Sequence, residues 1–267
     1  MNTGKLVRLN RLFSHPTGRF CSVAVDHFIG YGHGLPRGLR QMQPTLAAIM
    51  AGKPDAVTMH KGYAATAWAP YAGRTPLILQ AVAGRPDDTA YELVATAEDA
   101  VRLGADAIAI AAFVHGATEA AQLRVVSDLV REAGRFELPL ILHIYPRDPD
   151  TLEIVYTPED VAWALHCGLE LGADVIKIPY CGDVKAYADI VTDSTVPVVA
   201  AGGPRTDTFE QALQLMAEVV AAGARGATIG RNIWGFDGAN ITASVLAFKA
   251  VIHDNKSAKE ALKIAGL

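Results

Sequence analysis

The chain has 267 residues, 51% of them apolar and 19% charged, with 24 glycines and 14 prolines, which excludes a disordered or fibrous protein and allows a large buried core. Its 24 lysines and arginines stand against 28 aspartates and glutamates, a formal charge of −4, so there is no global positive field for a polyanion and nucleic-acid binding is set aside. In chain order, short apolar runs predict strands near 20–26, 55–59, 76–81, 106–112, 138–144, 173–178, 196–200 and 226–230. Between and after them, helical patterns run over 38–51, 62–69, 89–103, 118–134, 158–171, 183–192, 207–223 and 240–253. A Gly-Ala turn links helix to strand in LGADAIAIAA at 103–112, LGADVIKIP at 171–179 and AGARGATIG at 222–230, and more weakly in AGKPDAVTM at 51–59.

Eight strands alternating with helices predict an α/β fold, a single (β/α)8 barrel of the TIM type, with an open doubly wound sheet as the competing arrangement. The expected barrel domain fills residues 1–267, with 1–19 as an N-terminal extension, 254–267 as a tail, and both as additions that plug the barrel base or join a subunit contact. Cys21, Cys167 and Cys181 are odd in number, far apart and without a CxxC pair, so neither a disulfide framework nor a zinc site is expected. Charges interrupt every apolar stretch before it is long enough to span a bilayer, and the N-terminus has no signal-like run. The expectation is a soluble cytoplasmic protein with no membrane partner.

The active site of such a barrel lies at the C-terminal ends of its strands. Lys177 stands out there, inside Val175-Ile176-Lys177-Ile178-Pro179, where alternation turns Ile176 and Ile178 to the helices and Lys177 into the barrel. A buried ammonium must be paired or lose its proton, and a neutral amine is what attacks a carbonyl; at the ordinary pKa only about one lysine in 2,500 is neutral at pH 7. The plainer reading is an ion pair with Asp26, which ends the first strand and also suits positioning of a substrate hydroxyl. Tyr145, at the mouth of the fifth strand after His143, is a candidate proton shuttle, or a packed phenol. Gly202 and Gly203 after the seventh strand, with Gly230 and Arg231 after the eighth, occupy the places where barrels bind phosphate. His60, His115 and His143 end three different strands without HxH or HExxH spacing, so no metal is expected.

The segments VAVDHFIGYGHGLPRGL at 23–39, IYPRD at 144–148, DVIKIPYCGD at 174–183, VAAGGPRTD at 199–207 and GATIGRNIW at 226–234 together resemble the archaeal-type class I fructose-bisphosphate aldolase family. This group includes DhnA-like aldolases and is related to deoxyribose-phosphate aldolase. The resemblance runs from about residue 5 to 253. It implies a lyase that forms a Schiff base and uses no metal or cofactor, with Lys177 as the Schiff-base lysine, Tyr145 as acid/base and Asp26 as the active-site aspartate. It further implies that Gly202, Gly203, Gly230, Arg231 and His27 bind the substrate phosphate, and that the chain forms a homo-oligomer, a pentamer or decamer. The expected substrate is a phosphorylated sugar such as fructose 1,6-bisphosphate, cleaved to dihydroxyacetone phosphate and an aldehyde. Alternatives are a transaldolase-type condensation, a coenzyme A-dependent thiolase, or a non-catalytic sugar-phosphate-binding barrel. The family pattern is broken at Phe28, Asp148, Cys181 and Ala201, and Phe28 and Asp148 are expected to place bulk and charge near the mouth.

Overall fold

Apolar residues at alternate positions must each find a dry surface on one side of a strand or the other, and here both sides are buried. In the computed structural model, which describes residues 2–31, 36–238 and 240–266, the chain opens with α1 (Thr3–Leu12) and enters β1 (Phe20–Ala24). Then come α2 (His27–Tyr31), α3 (Met42–Ala51), β2 (Ala56–His60), α4 (Lys61–Ala67), β3 (Leu77–Gln80), a hairpin of β4 (Val82–Gly84) and β5 (Tyr91–Leu93), and α5 (Ala97–Arg102). The regular alternation resumes with β6 (Ala107–Val114), α6 (Glu119–Arg135), β7 (Leu140–Pro146), α7 (Pro158–Glu170), β8 (Val175–Ile178), α8 (Val184–Thr192), β9 (Val198–Ala201) and α9 (Phe209–Ala221). It ends with β10 (Gly226–Ile229), α10 (Arg231–Trp234), α11 (Ile241–Asp254) and α12 (Ala258–Ala265).

Eight strands close into a barrel in the order β1-β10-β9-β8-β7-β6-β3-β2, with every neighbouring pair parallel. This is the (β/α)8 barrel. Its alternation sorts the core into two clusters. Val23, Val57, Leu79, Ile110, Leu142, Ile176 and Ile229 face the helix layer, whereas Phe20, Ala56, Ile78, Ala109, Ile141, Val175 and Val199 fill the barrel's lower interior.

The inner cluster is sealed by α1. Leu12 is fully buried within it, Leu9 and Phe13 pack against it, and Lys5–Asp174 and Arg11–Asp106 ion pairs at 2.9 Å tie the helix to the strand entrances. Full burial of a leucine such as Leu12 contributes about 1.5–3 kcal/mol, so the base is closed by packing and the ion pairs fix orientation.

The predicted helix over 89–103 is corrected. Its first half pairs instead as β5 with β4, in antiparallel register from Val82–Leu93 to Gly84–Tyr91. The connection contains Pro86 and a left-handed Asp88 (φ 58°), both hostile to a helix, and Tyr91 anchors the hairpin by donating to Ala111 O at 2.9 Å. The helix starts only at Thr96, whose side chain forms a capping box with Asp99. Residues after 253 form α12, capped by Ser257 and Glu260 and packed on α11 and α9. Among the described residues no helix is long and apolar enough to cross a membrane.

Candidate active site

Above the apolar base the inward positions turn polar, and a cavity of about 350 Å³ opens at the C-terminal ends of the strands. Lys177 faces into it from β8. Its register partners are His143 on β7 and Val199 on β9, the latter part of the inner cluster, so the alternation expected for Lys177 is realised. The side chain is 5% exposed. Asp26, His27, Tyr145, Gly202, Gly203, Gly230 and Arg231 line the same cavity, so every residue singled out for catalysis or phosphate binding converges on one place.

Gln80 at the end of β3 organises the cavity floor. Its Nε2 donates to Asp26 Oδ2 at 3.0 Å and lies 3.4 Å from His143 Nδ1, while its Oε1 accepts from the backbone N–H of Ala81 at 3.1 Å. His27 Nδ1 lies 3.2 Å from Asp26 Oδ1, and the His27 ring meets Trp234 edge-on at 4.9 Å. Asp26 is thereby held from both sides.

Burial opposes charge on Asp26, yet the hydrogen bond and charge of His27, with His60 and Lys177 nearby, outweigh it and keep the carboxyl well below its ordinary range. Burial holds His27, His60 and His143 below the usual histidine value; for His143 the nearby Lys177 acts in the same direction. The floor therefore sets a carboxylate among three imidazoles that burial biases toward the neutral form.

This has a consequence for stability. A histidine depressed in the fold binds fewer protons than its unfolded counterpart once the pH drops below about 6.5, so its stability contribution is intact above that value and lost on acidification. Between pH 7 and 5 the unfolding free energy from urea titration should fall, by at most about 1.4 kcal/mol per pH unit for each such histidine. His143→Gln should flatten that slope; an unchanged slope would refute a neutral buried His143.

The two glycine loops are joined by Asn232, which sequence reading missed. Its Nδ2 donates to Gly202 O at 2.8 Å and Pro204 O at 2.9 Å, and its Oδ1 accepts from Thr206 N–H at 3.0 Å. Neither loop tolerates a side chain at its closest approach. A Cβ on Gly202 would stand 2.8 Å from Ile229 Cα, and one on Gly230 would stand 2.6 Å from His27 Cε1 and 3.2 Å from Ala24 O. The signal for Asn232 in the sequence was only its place directly after Arg231.

Phe28 and Asp148 differ from expectation, and His115 and Cys181 are placed by the fold alone. His115 turns away, with Nε2 3.5 Å from Asp160 Oδ1 and its ring stacked on Trp163. Asp148 does not line the cavity; it caps its own turn by accepting from the N–H groups of Asp150 and Thr151. Phe28 also stays outside, packed beside Tyr63. Cys181, one of the breaks in the family pattern, does line the cavity. Among the described residues no three His, Cys, Asp or Glu side chains are grouped to hold a metal ion.

The same barrel is found in known proteins. Residues 20–235 match the model of the DeoC/LacD family aldolases. The chain belongs to this family. As a DeoC/LacD family member it is a class I aldolase, a lyase. One relative is the 2-amino-4,5-dihydroxy-6-oxo-7-(phosphonooxy)heptanoate synthase of Streptomyces griseus, 32% identical over 231 residues that cover 85% of this chain and 83% of that one. Another is the 2-amino-3,7-dideoxy-D-threo-hept-6-ulosonate synthase of Halobacterium salinarum, 32% identical over 270 residues, covering 100% of this chain and 98% of its own. Among solved structures, a Schiff-base-forming fructose-1,6-bisphosphate aldolase superposes with a TM-score of 0.82 at 28% identity, covering 93% of this chain and all of that one.

Proposed function

We propose that this aldolase makes and breaks a carbon–carbon bond in a phosphorylated ketose, with dihydroxyacetone phosphate as the donor half and Lys177 as the Schiff-base residue. The observation that carries the reading is a lysine 5% exposed at the floor of a cavity whose rim holds Gly202, Gly203, Gly230 and Arg231. The neutral amine attacks the ketone carbon to give a carbinolamine, which loses water to an iminium. That cation draws in the electron pair of the adjacent carbon–carbon bond as it breaks, leaving an enamine. Tyr145 takes the proton from the hydroxyl of the departing aldehyde and returns it in the reverse direction. Asp26, fixed by Gln80 and His27, stabilises the cationic lysine intermediates and positions the carbinolamine hydroxyl. The glycine loops and Arg231 hold the phosphate, so that binding energy serves alignment of the carbonyl with Lys177.

The experiment is borohydride reduction with dihydroxyacetone phosphate, followed by peptide mapping. A stable adduct on Lys177 is expected; folded protein without an adduct would overturn the reading. Arg231→Ala should raise KM for dihydroxyacetone phosphate about 10- to 100-fold, the worth of one charged hydrogen-bonding group, with kcat changed far less. A loss confined to kcat would remove Arg231 from phosphate binding. Two relatives whose matches cover 85% and 100% of this chain are synthases, which favours a second reading of the same chemistry as a condensation onto a different acceptor. Turnover that requires coenzyme A would instead support a thiolase.

A further inference from the structure

Among the described lining residues the charges of the cavity are confined to one half of the ring. Among the described lining residues the lysines and arginines are Lys177 on β8 and Arg231 after β10, and the carboxylate is Asp26 after β1. In barrel order β1, β10, β9 and β8 are consecutive, so these charges and both glycine loops share four adjacent strands. The other four strands, β7, β6, β3 and β2, present His60, Gln80, Phe113, His143 and Tyr145. Beyond them the wall is Val82 and Pro86 on the hairpin side and Ile154 and the neutral phenol of Tyr156 after β7, the latter within reach of the Arg231 charge. Burial keeps His60 and His143 neutral.

Two further arginines approach this half, and neither lines the cavity. Arg147 is wholly buried beneath the loops, its guanidinium engaged by His115 O, Pro86 O, Asp88 and Thr118. Arg85, between two lining positions, points its Nη1 at Thr89 Oγ1, 3.3 Å away.

From this asymmetry we infer that the preferred substrate carries a single phosphate, and that its aldehyde half, seated against Val82, Phe113 and Ile154, is uncharged. The inference rests on the aldol reading for the end that holds the phosphate, and it disfavours a 1,6-bisphosphate. A second phosphate would bring about −1.5 to −2 charges against an apolar wall, losing hydration with no cation to offset the loss.

The test is borohydride capture over a concentration series of fructose 1-phosphate and of fructose 1,6-bisphosphate, with dihydroxyacetone phosphate as a parallel control. Half-maximal labelling by the monophosphate is expected at a concentration about tenfold or more below that for the bisphosphate. Ile154→Lys, which places a cation on the apolar wall, should narrow or reverse that ratio. Capture of the bisphosphate at equal or lower concentration overturns the inference while leaving the aldol reading intact, as does capture of neither ketose when dihydroxyacetone phosphate is captured. Bisphosphate capture that is lost in Arg85→Gln also overturns it, by making Arg85 the second phosphate site. Absence of any adduct, including that of dihydroxyacetone phosphate, removes the aldol reading and this inference with it.

Discussion

Purified Lys177→Ala is expected to lose borohydride-dependent labelling completely and to lose turnover by about four orders of magnitude or more, the scale seen when a covalent nucleophile is deleted. The size of the loss follows from the absence of a substitute. The other lysine chemistry in the cavity is nil among the described lining residues, and Arg231 is too basic to supply a neutral amine. The protein should nevertheless fold. A buried ammonium costs solvation, and replacing it with an apolar side chain of similar length is often neutral or stabilising. Lys177→Met should therefore keep or raise the urea midpoint while remaining inactive. That separation of stability from activity is the signature of a residue kept for chemistry. Turnover retained in Lys177→Ala would end the Schiff-base assignment.

Lys177 was legible in the sequence because a cation between aliphatic residues contradicts the logic of a two-sided buried strand. Its inward direction followed from a period of two and needed no tertiary information. The same rule located the barrel strands, since a parallel barrel buries both faces and leaves apolar runs bounded by turns. The hairpin of β4 and β5 was missed for the complementary reason. Residues 89–96 are mixed and partly exposed, so periodicity says little, and the decisive facts are the Pro86–Asp88 turn and the remote anchor of Tyr91 on Ala111. Gln80 and Asn232 were under-read because their roles are relations: Gln80 acts by meeting Asp26 across 54 positions of sequence, and Asn232 by bridging to Gly202 across 30. A motif gives the identity of a neighbour along the chain, not of the neighbour across a barrel.

Arg147 is the strongest instance, and Arg147→Ala is expected to destabilise the protein by about 3–5 kcal/mol, read as a lowered urea midpoint. In the sequence it is one letter of the IYPRD segment and received no role of its own. In the fold its side chain is fully buried, and it gathers the loops that follow β3, β6 and β7. Nε donates to His115 O at 2.8 Å, Nη1 to Pro86 O at 2.5 Å and to Asp88 Oδ1 at 2.8 Å, and Nη2 to Thr118 Oγ1 at 2.8 Å. Removing the guanidinium strands two carbonyls and a carboxylate that were oriented around it, and the remaining donors to Asp88, from Thr118 and Gln122, are neutral. Arg147→Lys should restore only part of the stability, because a single ammonium cannot span four acceptors that a planar fork reaches together.

The activity of Arg147→Ala should fall as well, through Tyr145. The Arg147 guanidinium lies 5.8 Å from the Phe113 ring centre, and the Tyr145 ring stacks on the same Phe113 at 5.9 Å. Loosening this stack displaces the phenol from its place in the cavity that Lys177 also lines, and misplacement by an ångström costs about 100-fold in rate. The glycine loops proposed to hold the phosphate follow β9 and β10, away from Arg147, so KM for dihydroxyacetone phosphate and its capture on the lysine should stay close to the parent values. A drop in kcat with capture preserved would show that the arginine acts by positioning Tyr145. Equal loss of both would mean that it holds up the whole cavity.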